Sequence, residues 1–460
     1  MSASTNGMTP VERRASVGLA SVYGLRMLGL FIILPIFALY AEKLPGGQSH
    51  FLIGIALGAY GLTQSILQIP AGWLSDRLGR KPIIIAGLLL FALGSFIAAS
   101  AHDIYWIIIG RVIQGSGAIN AAVMALTADL TREEHRTKAM AMIGMTIGVT
   151  FSVSMVLSPI LYKHIGMDGM FNLIGVLALI SIAVVLWFIP KPTVTRFHSD
   201  TEATTSKILE VLRNKDLLRM DFGVFTLHAI LMSVFMRVPF ILRDDGLDAQ
   251  HQWQLYLPVM LIAFVFMVPP IIIAEKKGKM KQVFMIAISL AAVAQFAILL
   301  MHGSLWGMAV ALLIFFTSFN ILEATQPSIV SKIAPLASKG TAMGVFSSVQ
   351  FLGAFFGSAV GGALQQIYGG DAVVVFAVAM LLLWLLVAST MRAPQPLTTK
   401  MYHLPVLDEE ASRALQQALA QLRGVREVLV ATGEQIACIK VESGGFDEDA
   451  VQYTVQNARG

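Results

Sequence analysis

Arg26, His228 and Glu323 are ionisable side chains placed inside apolar runs. A charge near the middle of a bilayer costs about 2.5–3.5 kcal/mol on insertion scales unless it is paired or hydrated, so each is a functional candidate. Burial disfavours the charged forms of carboxylates and imidazoles, and proton exchange near neutral pH follows naturally from that pairing of types. The expected chemistry is proton carriage by Glu323, the one carboxylate read as lying well inside a span, with His228 as its neighbour. Arg26 would hold an anionic substrate or tune an acid. Each has a plainer reading too: Glu323 paired in a wet vestibule, His228 satisfied by packing, Arg26 braced by carbonyls. Gln64 and Gln68 are four apart and share a helix face. With Asn120, Asn320, Arg111 and Gln114 they are the further candidates for lining a substrate path.

The elements that must position these groups follow from composition. Of 460 residues, 56% are hydrophobic and 13% charged, against about 25% charged in soluble globular chains. The mean hydropathy is +0.72. Nucleic-acid-binding modules, disordered chains and ordinary soluble enzymes are excluded. A single cysteine, Cys438, rules out an internal disulfide framework or a CxxC metal clip. A helix needs about 20 apolar residues to cross the hydrocarbon. Twelve such runs occur, near 15–41, 51–74, 83–101, 104–127, 138–162, 168–189, 219–242, 253–274, 282–301, 304–326, 340–367 and 371–391. The fold class is an all-α membrane protein with a small α/β appendage.

Orientation follows from Lys and Arg. They crowd into alternate loops, as at Arg77, Arg80 and Lys81 or Lys276, Lys277, Lys279 and Lys281, whereas the opposite loops hold Lys43, Lys163 and Arg243. Both termini are expected on the cytoplasmic side, and the basic character reflects insertion topology. The polar stretch 190–218 divides the spans six and six, giving bundles at 1–189 and 219–392 joined by a cytoplasmic linker with a surface helix at 206–217.

The halves echo each other. The loop after the second span reads Gly72-Trp73-Leu74-Ser75-Asp76-Arg77-Leu78-Gly79-Arg80-Lys81-Pro82, and that after the eighth reads Ala274-Glu275-Lys276-Lys277-Gly278-Lys279-Met280-Lys281. Lys138-Ala139-Met140-Ala141 and Thr341-Ala342-Met343-Gly344 open the fifth and eleventh spans. Two six-helix bundles related by a pseudo-two-fold axis, with a path between them, are expected. Asp76 then reads as part of a latch. It would meet the positive N-terminus of span eleven near Gly340 only when the cytoplasmic side is closed. Gly79 makes the turn, Arg77, Arg80 and Lys81 anchor it, and Asp129 is the expected partner of Arg80.

The Gly72–Pro82 loop resembles the cytoplasmic loop signature of the major facilitator superfamily, and Arg111-Val112-Ile113-Gln114-Gly115 resembles its RxxQG element. The resemblance covers all twelve spans. It implies a 6+6 helix transporter, Arg111 tying helices together within its own half, and the same Asp76, Arg80 and Asp129 trio. Drug/proton antiporters of that family carry GxxxGP in span five; here Ser154 and Ser158 replace both glycines before Pro159. Serine is still small enough for close helix packing.

Residues 397–460 read as a soluble β-α-β-β-α unit with a strand at 401–406, a helix at 408–422, a hairpin at 425–430 and 436–441, and a helix at 446–456. This is a ferredoxin-like order, similar to a heavy-metal-associated domain without its cysteine pair. It is expected to meet a cytoplasmic partner or to regulate.

The resulting expectation is a secondary transporter in a bacterial inner membrane, without cofactor, driven by the proton motive force and exporting a small, hydrophobic molecule by alternating access. Its partners are substrate, protons and bilayer, not nucleic acid. Import of a metabolite, or a transport-inactive sensor signalling through the tail, are the alternatives. No nucleophile–base pair, metal-ligand spacing or phosphate-binding loop argues for an enzyme.

Overall fold

In hydrocarbon a backbone has only itself to hydrogen-bond with, and the long apolar runs accordingly form helices. The structure is a computed structural model, and it describes residues 7–190, 205–301, 303–392, 397–404, 407–431, 436–442 and 446–457. Residues 191–204 of the linker lie outside these.

The first half comprises α1 (Pro10–Phe31), α2 (Leu34–Ala41), α3 (His50–Leu78), α4 (Arg80–Ala99), α5 (Ile104–Ser116), α6 (Asn120–Leu130) and α7 (Glu133–Ala183). A surface helix α8 (Thr205–Arg213) precedes α9 (Lys215–Asp244), α10 (Trp253–Lys276), α11 (Met280–Leu300), α12 (Leu305–Ile333), α13 (Lys339–Tyr368) and α14 (Gly370–Ser389). Span seven thus starts at Lys215, four residues before its expected start at 219, because Asn214 caps it by accepting from Asp216 N and Leu217 N.

Among the described residues, eleven helical stretches are long and apolar enough to cross a membrane, not twelve. The difference is α7, a 51-residue helix interrupted at Gly166, whose φ of 65° and ψ of −178° break it into the lengths expected of spans five and six. Two further spans are broken within: α1 and α2 are joined by Ile32 and Ile33 ahead of Pro35, and α5 and α6 by residues 117–119. Such breaks free backbone groups inside the bundle, and one of them is used below.

The seam between the halves is carried chiefly by α3 against α13. It is close because Gly54 and Gly58 face Ser358; a methyl group on either would overlap that residue.

The tail places β1 (Leu397–His403), α15 (Glu409–Ala420), β2 (Val425–Ala431), β3 (Ile436–Glu442) and α16 (Glu448–Asn457) in chain order. The strands form an antiparallel sheet in the order β1-β3-β2. This is the ferredoxin-like arrangement of its first three strands. β1 begins four residues earlier than expected, since its register against β3 runs from Leu397 opposite Glu442 to His403 opposite Ile436. Residues 405–406 and the hairpin turn 432–435 lie outside the described residues.

Candidate functional site

The break between α5 and α6 leaves the Gly117 carbonyl without a helical partner, and Arg26 takes it at 3.1 Å. Arg26 also donates to Asn120 Oδ1 and to Gln64 Oε1, each at 2.5 Å, and Gln64 passes a bond to Gln68 Oε1 at 2.8 Å. The guanidinium lies over the rings of Tyr60 and Phe91, 5.7 and 5.6 Å from their centroids. It is 2% exposed, with Arg26 Nε and Asn120 Nδ2 left without partners. A permanently charged fork has been desolvated and met by neutral oxygens. Such a site attracts an anion or a nearby carboxylate.

In the second half, His228 of α9 faces Glu323 of α12, with Nε2 3.6 Å from Oε2. Gln350 of α13 stands between them, its amide nitrogen 2.8 Å from His228 Nε2 and 3.4 Å from Glu323 Oε1. His228 Nδ1 lies 3.1 Å from the Val224 carbonyl. If Nδ1–H donates to that carbonyl, Nε2 is left as an acceptor, which the Gln350 amide satisfies. The neutral ring therefore fits the arrangement. Glu323 is half-buried.

Arg26 does not join this group. The three ionisable residues divide into one polar cluster per half: spans one, two and four hold the first, and spans seven, ten and eleven the second, so that spans one and seven and spans four and ten correspond under six-and-six symmetry while the third member differs. Asn120 and Asn320 occupy spans four and ten; Asn320 is buried with its amide nitrogen unpartnered. Aromatic rings lie between the clusters. Phe151 of α7 packs on Phe316 and Phe319 of α12, with centroids 6.1 and 5.7 Å away, and Phe319 lies edge-on to His228. Tyr60 meets Phe351 across the seam at 6.1 Å.

The ends of the bundle differ. Away from the loop signature, Arg243 bonds Glu42 of the other half at 2.7 Å, and Gln366 accepts from Ser49 Oγ and Phe51 N at 2.9 and 3.1 Å. The α3–α13 glycine seam lies at this same end. At the loop-signature end, Asp76 is hydrogen-bonded by Arg80 of its own loop, and among the described residues by that partner alone. Arg80 also reaches Ser75 Oγ at 2.9 Å and Asp129 at 3.3 Å, where the Asp129 carboxylate is fully buried. Among the described residues no hydrogen bond joins Asp76 to the start of α13 at Lys339 and Gly340, whereas the opposite end is tied across the halves by Arg243–Glu42 and by Gln366.

Residues 19–358 match the Major Facilitator Superfamily, and 272–431 match it again. The chain belongs to the Major Facilitator Superfamily. It is 44% identical, over 98% of its length and 99% of the relative's, to the inner membrane transport protein YajR of Escherichia coli K12. It is 26% identical to the multidrug resistance protein MdtH of Proteus mirabilis, over 73% of this chain and 82% of that one. A crystal structure of a D-xylose–proton symporter superposes with a TM-score of 0.67 at 16% identity, covering 83% of this chain and 98% of that one. The chain is accordingly a membrane transporter and not an enzyme.

The family's motifs take physical form in this superfamily fold. Gly79, at φ 96°, ends α3 and begins α4 in one residue. Arg77 lies over the Trp73 ring at 3.8 Å. Lys81 donates to the carbonyls of Val185 and Ile189, pinning the start of α4 to the end of span six. Gly72 faces Ala121 of α6 at close range. Arg111 donates to Gln114 Oε1 at 3.0 Å and to the Leu57 and Ala56 carbonyls of α3, while Gln114 donates to Ser95 of α4. These two residues brace three helices rather than line a path. Ser154 and Ser158 are fully buried, their hydroxyls unpartnered, where the antiporter pattern has glycine.

Two polar residues inside spans escaped the sequence reading. Gln350 shows only as one polar residue in an apolar span; nothing in its spacing tells that it reaches His228. Asp221, two residues into the span read at 219–242, is not among the sequence candidates and is buried with Oδ2 unpartnered. Glu323 is therefore not the only buried carboxylate within a spanning helix. Arg237 pairs with Asp371 in the first turn of α14 at 3.2 Å.

Proposed function

We propose that the protein is a proton-coupled exporter of a small, hydrophobic molecule in the bacterial inner membrane, with both termini cytoplasmic, working by alternating access and powered by the proton motive force alone. The observation that carries the reading is the His228–Gln350–Glu323 cluster, a carboxylate and an imidazole 3.6 Å apart on two facing spans. Glu323 is the proton carrier and His228 its neighbour. Arg26, with Gln64, Gln68 and Asn120, holds the polar side of the path in the other half, and Asn320 faces the same path. The names of the relatives support this: one is an inner membrane transport protein and another a multidrug resistance protein. Positive-inside topology puts the loop-signature end in the cytoplasm, and the inter-half bonds of Arg243–Glu42 and Gln366 at the opposite end support reading the conformation as inward-open. Asp76, bonded to Arg80 of its own loop, fits a latch that is undone when the cytoplasmic side is open.

The test is transport in proteoliposomes under an imposed pH gradient, with a panel of hydrophobic cations and neutral drugs. Glu323→Gln should abolish proton-linked flux while leaving the protein folded. Unchanged coupling removes the assignment, and substrate moving with the proton instead of against it would make the protein a symporter.

A further inference from the structure

The tail's sheet has two faces, and both are covered. On one, Ala437, Ile439 and Val441 of β3 pack with Val428 against Leu415, Leu419, Val451 and Val455 of the two helices. Side chains alternate along a strand, so Ile436, Cys438 and Lys440 project from the other face. In an isolated domain that face would meet water and carry polar residues. Here it is closed against the loop between α12 and α13. Ile436 and Cys438 are buried with Leu336 of that loop, and Leu429 of β2 packs beside them.

Lys440 is 4% exposed. Its ammonium lies 3.1 Å from the Glu427 carboxylate and donates to the Ala334 carbonyl, the C-cap of α12. The other Glu427 oxygen accepts from Leu336 N at 2.7 Å. The ion pair thus grips the loop's main chain at two points two residues apart, once as donor and once as acceptor. A buried cation is retained only if its hydrogen bonds are met, and here half of them are met by the membrane bundle. The face is incomplete without the loop.

We infer that the partner of the C-terminal domain is this chain's own α12–α13 loop, and that docking there holds the transporter open at the loop-signature end. The inference rests on the alternating-access reading. The loop joins the helix that carries Glu323 to the helix that carries Gln350 and the glycine seam. It also supplies residues 334–338 immediately ahead of α13, whose N-terminus must approach Asp76 for that end to close. A domain gripping Ala334 and Leu336 fixes the start of α13, and fixes with it the seam at the other end. Release of the domain frees α13 to tilt.

The chain's only cysteine allows a direct test. Leu336→Cys places a second thiol against Cys438, and mild oxidation of the full-length protein in nanodiscs should form that one disulfide. Hydrogen exchange is then followed at 50–61 and 351–362. The crosslink should slow exchange there by at least about fivefold, the low end of ordinary coupling between sites, and Lys440→Met should speed it by a similar factor. Gly58→Val, which forces the seam apart, is the positive control. No disulfide in a folded protein overturns the docking, and a disulfide that leaves exchange unchanged overturns the coupling. If Gly58→Val also fails to raise exchange, alternating access at this seam falls, and the inference falls with it.

Discussion

The side-chain amide of Gln350 lies 2.8 Å from Nε2 of His228, joining α13, the helix of the inter-half seam, to α9. The same nitrogen is 3.4 Å from Glu323, so one amide serves both ionisable groups. If proton binding changes which of them accepts, the change is felt first by the helix that closes one end of the molecule. Gln350→Leu should therefore reduce proton-linked transport about tenfold, the equivalent of one buried hydrogen bond of ~1.4 kcal/mol. A double-mutant cycle of Gln350→Leu with His228→Ala, read by thermal unfolding, should give a coupling of about 1 kcal/mol; strict additivity would show that the contact carries no energy.

Arg26 is held by three oxygens in a desolvated site. Arg26→Met should lower stability by about 2–3 kcal/mol, since Gln64, Asn120 and the Gly117 carbonyl lose a charged donor. Arg26→Lys should recover only part of this, because an ammonium on a flexible stem does not reproduce a planar fork. Unfolding monitored by intrinsic fluorescence decides it.

Arg80 has two carboxylate partners of different burial. The Asp76 side chain is 19% exposed and Asp129 not at all. Asp129→Ala should cost about 3–5 kcal/mol, the penalty for breaking a buried pair, whereas Asp76→Ala should cost markedly less. Asp76→Asn should instead shift the conformational balance further toward opening at the loop-signature end. Crosslinking between engineered cysteines at Ser49 and Gln366, in a Cys438→Ser background, should then rise.

Gly54 sits where a side chain would overlap Ser358 of α13. Gly54→Val should keep the opposite end from sealing. The same Ser49–Gln366 crosslink should fall several-fold, with helical content unchanged by circular dichroism.

Much of this architecture is written in the sequence. A run of twenty apolar residues can satisfy its backbone in lipid only as a helix, so the spans, the six-and-six division and the basic loops follow from composition along the chain. The loop signature is legible for a related reason: Asp76, Gly79 and Arg80 are neighbours in sequence, and their contacts are mostly local. Arg26, His228 and Glu323 could be picked out because charge in an apolar run is conspicuous whatever surrounds it. Their grouping could not. Helix faces in a bundle are chosen by packing between residues far apart in sequence, and only that packing put Gln350 against His228, gathered Gln64, Asn120 and the Gly117 carbonyl around Arg26, and buried Asp221. The docked tail is the clearest instance. Strand alternation alone fixes which residues share a face of β3, but the loop at 334–338 that makes Lys440 a buried cation is brought to it by the fold.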